Sequence, residues 1–222
     1  MRYDHVLFDL DGTLVDSEEG ITRSVEYALA KYGITVCDRK DLRGFIGPPL
    51  VESFMRFYGF SEEKAGEATD FYRERYAVLG VHENRLYPGI RELLTELKAG
   101  GAKLSVATSK PEIFAEIVIK DMGLGELFDF IAGTQLDDAA GRKNNYRTKK
   151  EDVIAYAVKE LGVIDRSRVL MVGDRKHDVI GAKINGMDSA YVLWGFGSRA
   201  EAEEHGADYT VEKPGELIDI VS

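Results

Sequence analysis

Short apolar runs that alternate with helix-like stretches are the feature that most constrains the fold of this chain. The first run is Val6-Leu7-Phe8, and similar runs follow at 103–107, 128–132, 169–172 and 190–193. Each is too short for a buried helix and lacks a 3.6-residue spacing, which indicates a buried β-strand. Strands that alternate with helices form parallel sheets. The sequence therefore predicts an α/β protein with a parallel sheet.

The alternation is interrupted once, between Ser17 and about Leu86. Helical patterns follow one another there without a strand, so we expect residues 17–86 to form an inserted helical unit. Residues 1–16 and 87–222 would then form the core that contains the sheet. The apolar and aromatic side chains predicted to fill the interior of the insertion are Ile21, Val25, Ala28, Leu29, Phe54, Phe57, Tyr58, Phe71, Tyr72 and Tyr76.

Net charge and cysteine content disfavour several classes of function. The 222 residues carry a formal net charge of −10, which opposes binding to nucleic acid and to anionic lipid. Cys37 is the only cysteine, so no internal disulfide can form and a reducing compartment is favoured. No apolar run reaches the ~18 residues of a membrane-spanning helix. We expect a cytoplasmic protein with no nucleic-acid or membrane partner, and the oligomeric state stays open.

Aspartates stand directly after two of the predicted strands. Asp9 and Asp11 follow the first strand, where residues i and i+2 of an extended chain point to the same side. Two carboxylates in one small space repel each other unless a cation or proton lies between them, and their oxygens are ligands that Mg²⁺ prefers. An isolated Asp-x-Asp-Gly sequence is also typical of a plain turn. A second pair, Asp174 and Asp178, follows the fourth strand and favours the chemical interpretation, although Asp174 alone could be a helix N-cap.

Groups suited to an anion follow the second strand and precede a later helix. Thr108 and Ser109 stand at a predicted helix start, where free N–H groups and the helix dipole favour phosphate, and where either residue could equally be a simple cap. Lys149 and Lys150 precede a predicted helix over 151–161, although a cation opposes the dipole at that end. Pairing with carboxylates and phosphate would explain a lysine there.

In chain order these motifs resemble those of the haloacid dehalogenase superfamily. The resemblance covers essentially the whole chain, and its first motif is the most specific. The motifs are Phe8-Asp9-Leu10-Asp11-Gly12-Thr13-Leu14, Ala107-Thr108-Ser109, a lysine that opens a helix, and Gly173-Asp174 followed by Asp178. The helical insertion and two further segments resemble the phosphoglycolate phosphatase-like branch. These segments are Phe45-Ile46-Gly47-Pro48-Pro49 and Trp194-Gly195-Phe196-Gly197-Ser198.

The resemblance implies a Rossmann-like core with an inserted helical cap, and a Mg²⁺-dependent phosphatase that works through an aspartyl-phosphate. Asp9 would be the nucleophile, and Asp11 would be the general acid and base. The Asp9 carboxylate, the backbone carbonyl of Asp11 and Asp174 would hold Mg²⁺. Asp178 would not be one of these direct ligands; it would position the metal and the lysine indirectly or through water.

The resemblance also implies that Thr108, Ser109 and Lys150 bind the phosphate of a small phosphorylated metabolite. The lysine departs from the pattern, because many relatives have Lys-Pro whereas Lys149 and Lys150 are adjacent and no proline follows. The spacing to Val153-Ile154 favours Lys150 and leaves Lys149 as the alternative.

The segment from Thr134 to Thr148 is long for a loop in a compact fold. Its basic residues Arg142, Lys143 and Arg147 could meet the charge of a substrate. The favoured interpretation is a solvated basic loop.

Other functions fit parts of the pattern. The sequence from Gly195 to Ala200 fits a loose dinucleotide-binding pattern, but it follows the fifth strand rather than the first. A dehalogenase would have little use for Asp11, whereas a phosphomutase shares every motif. A binding or regulatory protein on an inactivated scaffold is disfavoured, because every expected catalytic residue type is present. Phosphoglycolate, a nucleoside 5′-monophosphate, pyrophosphate and a sugar phosphate all stay open as substrates.

Overall fold

The computed structural model describes residues 1–136 and 147–222, which divide into two units. The first unit comprises Met1–Val15 and Leu86–Ser222, and the second comprises Asp16–Arg85. The second unit therefore begins and ends one residue earlier than the expected insertion over 17–86.

The described residues form eight strands and nine α-helices. The strands are β1 (His5–Phe8), β2 (Val15–Asp16), β3 (Arg85–Leu86), β4 (Lys103–Pro111), β5 (Phe130–Thr134), β6 (Val169–Gly173), β7 (Asp188–Val192) and β8 (Tyr209–Val211). The helices are α1 (Glu18–Ala30), α2 (Leu50–Tyr58), α3 (Glu62–Tyr76), α4 (Ile90–Ala99), α5 (Glu112–Asp121), α6 (Lys150–Glu160), α7 (Lys176–Ile184), α8 (Arg199–His205) and α9 (Glu216–Val221). Among the residues described, no helix has both the length and the apolar character needed to cross a membrane.

A six-stranded parallel sheet forms the centre of the first unit. Its strand order is β5-β4-β1-β6-β7-β8, and all adjacent strands run parallel, which confirms the predicted α/β class. Phe8 pairs with Val106 on one side and with Val172 on the other. The residues that follow these three positions therefore meet at one edge of the sheet, where ligands bind in parallel α/β folds. The edge strand β8 was not predicted, because it has only three residues and two of them are partly exposed.

Helices α6 and α7 cover one part of the sheet and fix the positions of the residues at its edge. Val153 and Ile154 of α6 pack with Leu7, Ala107 and Met171 of the three central strands in one buried cluster. Burying a side chain of the size of Val or Ile contributes about 1.5–3 kcal/mol. The start of α6 is thereby held against the ends of β4, β1 and β6.

The second unit is built from α1, α2 and α3 and has its own apolar interior. The predicted face of α1 is buried at Ile21, Val25, Ala28 and Leu29. Aromatic rings fill much of the remainder, as in the Phe45–Phe54 pair with ring centroids 4.9 Å apart and the Tyr72–Tyr76 pair at 5.2 Å. The prediction that Phe57 is buried is wrong, since its side chain is 46% exposed. Its ring packs against Phe45, with ring centroids 5.4 Å apart, but nearly half of the side chain stays open to solvent.

Candidate active site

Three strands of the sheet end in polar residues that lie at the same edge. Asp9 follows β1, Asp174 follows β6, and Thr108 lies in the last part of β4. The backbone N–H of Asp9 donates to the carbonyl of Val172 at 2.8 Å, so the ladder between β1 and β6 extends to the aspartate itself. All three polar residues are buried. The structure thus brings together residues that are far apart in sequence, as expected for a parallel sheet.

Lys150 is the cation at the centre of this site. Its Nζ lies 2.7 Å from Asp9 Oδ1 and 2.7 Å from Asp178 Oδ1. Burial would lower the pKa of Lys150, but the charges of Asp178 and Asp9 outweigh burial and raise it, so the side chain is an ammonium group. The neighbouring Lys149 is the exposed N-cap residue of α6. The structure therefore places Lys150 in the site and Lys149 outside it.

Asp178 is held by protein groups on both of its oxygens. Oδ1 contacts Lys150, and Oδ2 accepts a hydrogen bond from the Arg175 N–H at 3.0 Å. Burial raises the pKa of Asp178, and the attraction of Lys150 opposes this only in part. Arg175 is the N-cap residue of α7, so Asp174 lies one residue before the cap and is not the cap itself.

The acidic residues of the site form a set that fits a divalent cation. Oxygens of Asp9, Asp174 and Asp178 all lie within 4.8 Å of one another. These three carboxylates and the ammonium of Lys150, which contacts Asp9 and Asp178, sum to two formal negative charges. Asp174 Oδ1 is buried and accepts no hydrogen bond from any residue that the structure describes. Burial, followed by repulsion from Asp9 and Asp178, raises the pKa of Asp174 far above its ordinary value. Oxygen donors with surplus negative charge are what Mg²⁺ binds.

The turn after β1 fits closely against Asp174. Gly12 has a φ of +85°, and its N–H donates to the Val15 carbonyl at 2.8 Å. A Cβ on Gly12 would lie 2.2 Å from Asp174 Oδ2. The glycine is therefore required both by the left-handed conformation and by the close approach of Asp174.

Lys110 belongs to the site, although the sequence analysis did not select it. Its Nζ lies 2.7 Å from Asp11 Oδ1, and the two side chains are only 4% and 14% exposed. Among the described residues, two lysines thus contact aspartates of the site: Lys150 contacts Asp9 and Asp178, and Lys110 contacts Asp11. The signal available in the sequence was the position of Lys110 two residues after Thr108, in a stretch whose residues Thr108 and Ser109 were expected to begin a helix.

The prediction that Thr108 and Ser109 stand at a helix N-terminus is wrong. β4 continues to Pro111 with a shift of register after Ala107, and α5 begins only at Glu112. Both hydroxyls therefore belong to the strand and not to the first turn of a helix. Thr108 is buried and its Oγ1 accepts a hydrogen bond from the Lys110 N–H at 3.2 Å, whereas Ser109 is partly exposed. The irregular end of β4 is what carries Thr108 and Lys110 into the site.

The basic segment is described only at its ends. Arg142 and Lys143 lie outside the described residues. Arg147 contacts Glu112 Oε2 at 2.8 Å, and its guanidinium lies 3.6 Å from the centre of the Tyr156 ring. The Arg147 side chain is 11% exposed and is engaged by these neighbours, so it is not part of a solvated loop.

Comparisons with known proteins agree with the fold and with the family resemblance. The family of haloacid dehalogenase-like hydrolases matches residues 6–192. A 5′-nucleotidase of Pseudomonas aeruginosa is 46% identical over 205 residues, which cover 92% of this chain and 89% of that protein. Pyrophosphatase PpaX of Bacillus velezensis is 34% identical over 223 residues, covering 99% of this chain and 96% of that protein. The crystal structure of a predicted phosphatase from Clostridium acetobutylicum superposes with a TM-score of 0.89 at 45% identity, covering 100% of this chain and 99% of that one.

The chain therefore belongs to the haloacid dehalogenase-like hydrolases, and it is an enzyme of the phosphoric monoester hydrolase class. The resemblance noted in the sequence is confirmed at the level of the superfamily.

Proposed function

We propose that this enzyme is a Mg²⁺-dependent phosphatase that hydrolyses a small-molecule phosphomonoester through an aspartyl-phosphate on Asp9. The observation that carries the proposal is the buried contact of Asp9 with Lys150, at 2.7 Å, inside a group of carboxylates with surplus negative charge. A nucleophilic carboxylate needs a nearby cation to receive the negative phosphoryl group, and this site offers a lysine together with oxygen donors for a metal.

In the first half of the reaction, a carboxylate oxygen of Asp9 forms a bond to phosphorus while the bond between phosphorus and the ester oxygen breaks. Asp11, in its protonated form, donates a proton to the departing oxygen. In the second half, Asp11 takes a proton from water, whose oxygen attacks phosphorus and releases Asp9 and inorganic phosphate. Lys110 would hold the Asp11 carboxylate in place through their 2.7 Å contact.

Phosphate binding falls to Lys150, Thr108 and Ser109 in this proposal. Lys150 supports it by its burial and its contact with Asp9. Thr108 supports it by the position of its hydroxyl at the same edge of the sheet, beside Lys110. Ser109 has the weakest support, because it is only partly buried and its carbonyl is taken by the Thr134 hydroxyl at 3.0 Å.

The metal ligands would be the carboxylates of Asp9 and Asp174 and the backbone carbonyl of Asp11. Asp174 Oδ1 is buried without a hydrogen-bond donor among the described residues, as expected for a ligand oxygen. Asp178 would not bind the metal directly, because both of its oxygens already have protein partners in Lys150 and Arg175. When bound, Mg²⁺ would neutralise charge on the phosphoryl oxygens.

The candidate substrates differ in their leaving group. We propose that the second unit, residues 16–85, acts as the cap that selects the leaving group. The 46% identical relative named 5′-nucleotidase favours a nucleoside 5′-monophosphate, and the relative named pyrophosphatase favours pyrophosphate. Phosphoglycolate remains the candidate from the branch resemblance. A cytoplasmic location stays a prediction from composition.

The test is phosphate release from a panel of these compounds, with Mg²⁺ or with a chelator, by wild type and by Asp9→Asn. We expect release only with Mg²⁺, and a loss of roughly a thousandfold or more in Asp9→Asn, since this substitution removes the nucleophile. A far-UV circular dichroism spectrum equal to that of wild type is the control for folding. If the folded wild type released no phosphate from any compound, the phosphatase proposal would be abandoned. Full activity in chelator would overturn the metal dependence alone.

A further inference from the structure

The segment Trp194–Ser198, which we call the strap, lies between β7 and α8 and touches the site at two points. The indole N–H of Trp194 donates to the backbone oxygen of Thr13 at 3.0 Å. The backbone N–H of Phe196 donates to Asp174 Oδ2 at 2.7 Å. The strap is therefore bonded both to the turn after β1 and to the aspartate after β6.

Two glycines let the backbone of the strap lie directly on these neighbours. A Cβ on Gly195 would be 2.3 Å from the Gly12 oxygen and 2.5 Å from Asp174 Cβ. A Cβ on Gly197 would be 1.8 Å from the Tyr191 hydroxyl oxygen and 2.0 Å from the backbone carbonyl oxygen of Asp174. No side chain fits at either position without displacing the strap. These glycines thus serve close packing on Asp174, and the loose dinucleotide-binding pattern noted in the sequence needs no cofactor to explain it.

The far end of the strap is fixed by Glu201 of α8. Glu201 Oε1 accepts hydrogen bonds from the Lys176 N–H at 2.8 Å and from the Tyr191 hydroxyl at 3.0 Å. The Tyr191 hydroxyl in turn accepts the Ser198 N–H at 3.1 Å. The strap is consequently tied to the first turn of α7, the helix that follows Asp174.

The two oxygens of Asp174 are made unequal by this arrangement. Oδ2 has a hydrogen bond from Phe196, whereas Oδ1 is buried and has no donor among the residues described. A carboxylate that is held by one oxygen presents the other in a fixed direction. Partners behind a metal ligand orient it in this manner and commonly affect metal affinity by about 10- to 100-fold.

We propose that the strap is a positioning element for the metal site, in which the Phe196 N–H holds Asp174 Oδ2 so that Oδ1 is the oxygen presented to the metal. This inference rests on the metal dependence of the proposed function. It also makes Trp194 a reporter of the site, because Trp194 is the only tryptophan of the chain and is bonded to the turn after Asp11.

The test compares two substitutions at one position. Phe196→Pro removes the N–H that bonds Asp174, whereas Phe196→Ala keeps the N–H and shortens only a partly exposed side chain. Mg²⁺ affinity is measured without substrate, by isothermal titration calorimetry and by the emission of Trp194. We expect Phe196→Ala to bind Mg²⁺ within about twofold of wild type, and Phe196→Pro to bind about 10- to 100-fold more weakly.

A third variant keeps the inference testable if proline disrupts folding. Gly195→Ala retains every N–H of the strap but forces it away from Gly12 and Asp174, so we expect a weakening of about tenfold or more in Mg²⁺ affinity. Far-UV circular dichroism in chelator checks that each variant is folded.

The outcomes separate the inference from the proposed function. Wild-type affinity in folded Phe196→Pro, or in folded Gly195→Ala, would overturn the role of the strap and leave the metal-dependent phosphatase intact. Equal weakening in Phe196→Ala and Phe196→Pro would also overturn it, since the ring and not the N–H would then matter. Absence of Mg²⁺ binding by wild type would overturn the metal dependence and the inference together.

Discussion

Each unit of the chain contains a group of charged residues, but the two groups differ in burial and in the ratio of acidic to basic side chains. In the first unit, Lys150 contacts Asp9 and Asp178, and an oxygen of Asp174 lies within 4.8 Å of oxygens of both aspartates. Each of these four residues is at most 9% exposed. Carboxylates outnumber the lysine, and burial prevents water from compensating the excess.

The group in the second unit is more exposed to solvent, and its basic side chains outnumber its acidic ones. Its strongest contact joins Arg75 to Glu83 through two hydrogen bonds of 2.8 Å and 2.9 Å, between side chains that are 13% and 22% exposed. The other members reach outward, and Arg85 is 82% exposed. The full group comprises Glu19, Arg23, Arg75, Glu83 and Arg85.

The difference indicates what each group is for. A buried excess of like charge lowers stability unless a ligand completes it, so it is expected where chemistry requires it. A partly exposed group, in which three arginines meet two glutamates, gives a modest local stabilisation and needs no ligand. We infer that the first group serves the reaction and the second serves the packing of the helical unit.

The largest expected effect comes from removing the central lysine. Lys150→Met would leave Asp9 and Asp178 without their shared cation, and we expect a loss of about 3–5 kcal/mol in the free energy of unfolding. Phosphate release should fall by roughly a thousandfold or more, because the phosphoryl group loses its cation. Urea unfolding followed by circular dichroism, together with the phosphate assay, measures both effects.

Lys149→Met is the matched control for that variant. Lys149 is exposed and adjacent, so its substitution should change stability by no more than about 0.5 kcal/mol and leave activity near that of wild type. Comparable losses in the two variants would contradict the assignment of the buried lysine to the site.

A smaller and more selective effect is expected at Lys110. If Lys110 holds Asp11 for proton transfer, Lys110→Met should lower kcat about 100-fold for an alkyl phosphate, whose leaving oxygen needs a proton. The loss should be less than about tenfold for p-nitrophenyl phosphate, whose leaving group departs without one. Steady-state kinetics with both substrates measures the ratio, and Lys103→Met, an exposed lysine of the same strand, is the control. Equal losses with the two substrates would assign Lys110 to phosphate binding or to structure.

The smallest effect is expected in the second unit. Glu83→Gln should lower the free energy of unfolding at neutral pH by about 1 kcal/mol, because it removes the charge that Arg75 pairs with. Asp70→Asn is the control, since Asp70 meets Arg73 with side chains 74% and 41% exposed, and we expect it to change stability by less than about 0.5 kcal/mol. Both are measured by urea unfolding of the intact chain.

The pH dependence of the Glu83 variant follows from the direction of its pKa. The hydrogen bonds from Arg75 hold the pKa of Glu83 below its ordinary value. The stabilisation is therefore fully present above the unfolded pKa of about 4.3 and is lost as the pH falls through the lower, folded pKa. The difference between wild type and Glu83→Gln should shrink in that acidic range, and a difference that stayed constant would contradict the role of the charge.

Much of the site was predictable because parallel strands end at a common edge. The runs that end before Asp9, near Thr108 and before Asp174 identify three of the central positions from hydrophobic pattern alone. The order of the motifs then indicated the haloacid dehalogenase superfamily and, with it, a phosphate-binding lysine at the start of a helix. The short strand β8 gave no such signal, since three residues, of which only Val211 is buried, are too few to show a pattern.

The sequence by itself determined the α/β class, the helical insertion and the acidic residues. Buried strands and amphipathic helices require apolar residues at regular spacings, and these spacings can be read directly from the sequence. Only the tertiary structure decided that Lys150 and not Lys149 is buried, that the irregular end of β4 brings Lys110 to Asp11, and that the Phe196 N–H meets Asp174. These choices depend on where a backbone bends and which N–H points inward. Such contacts join distant parts of the chain and produce no regular spacing of residue types in the sequence.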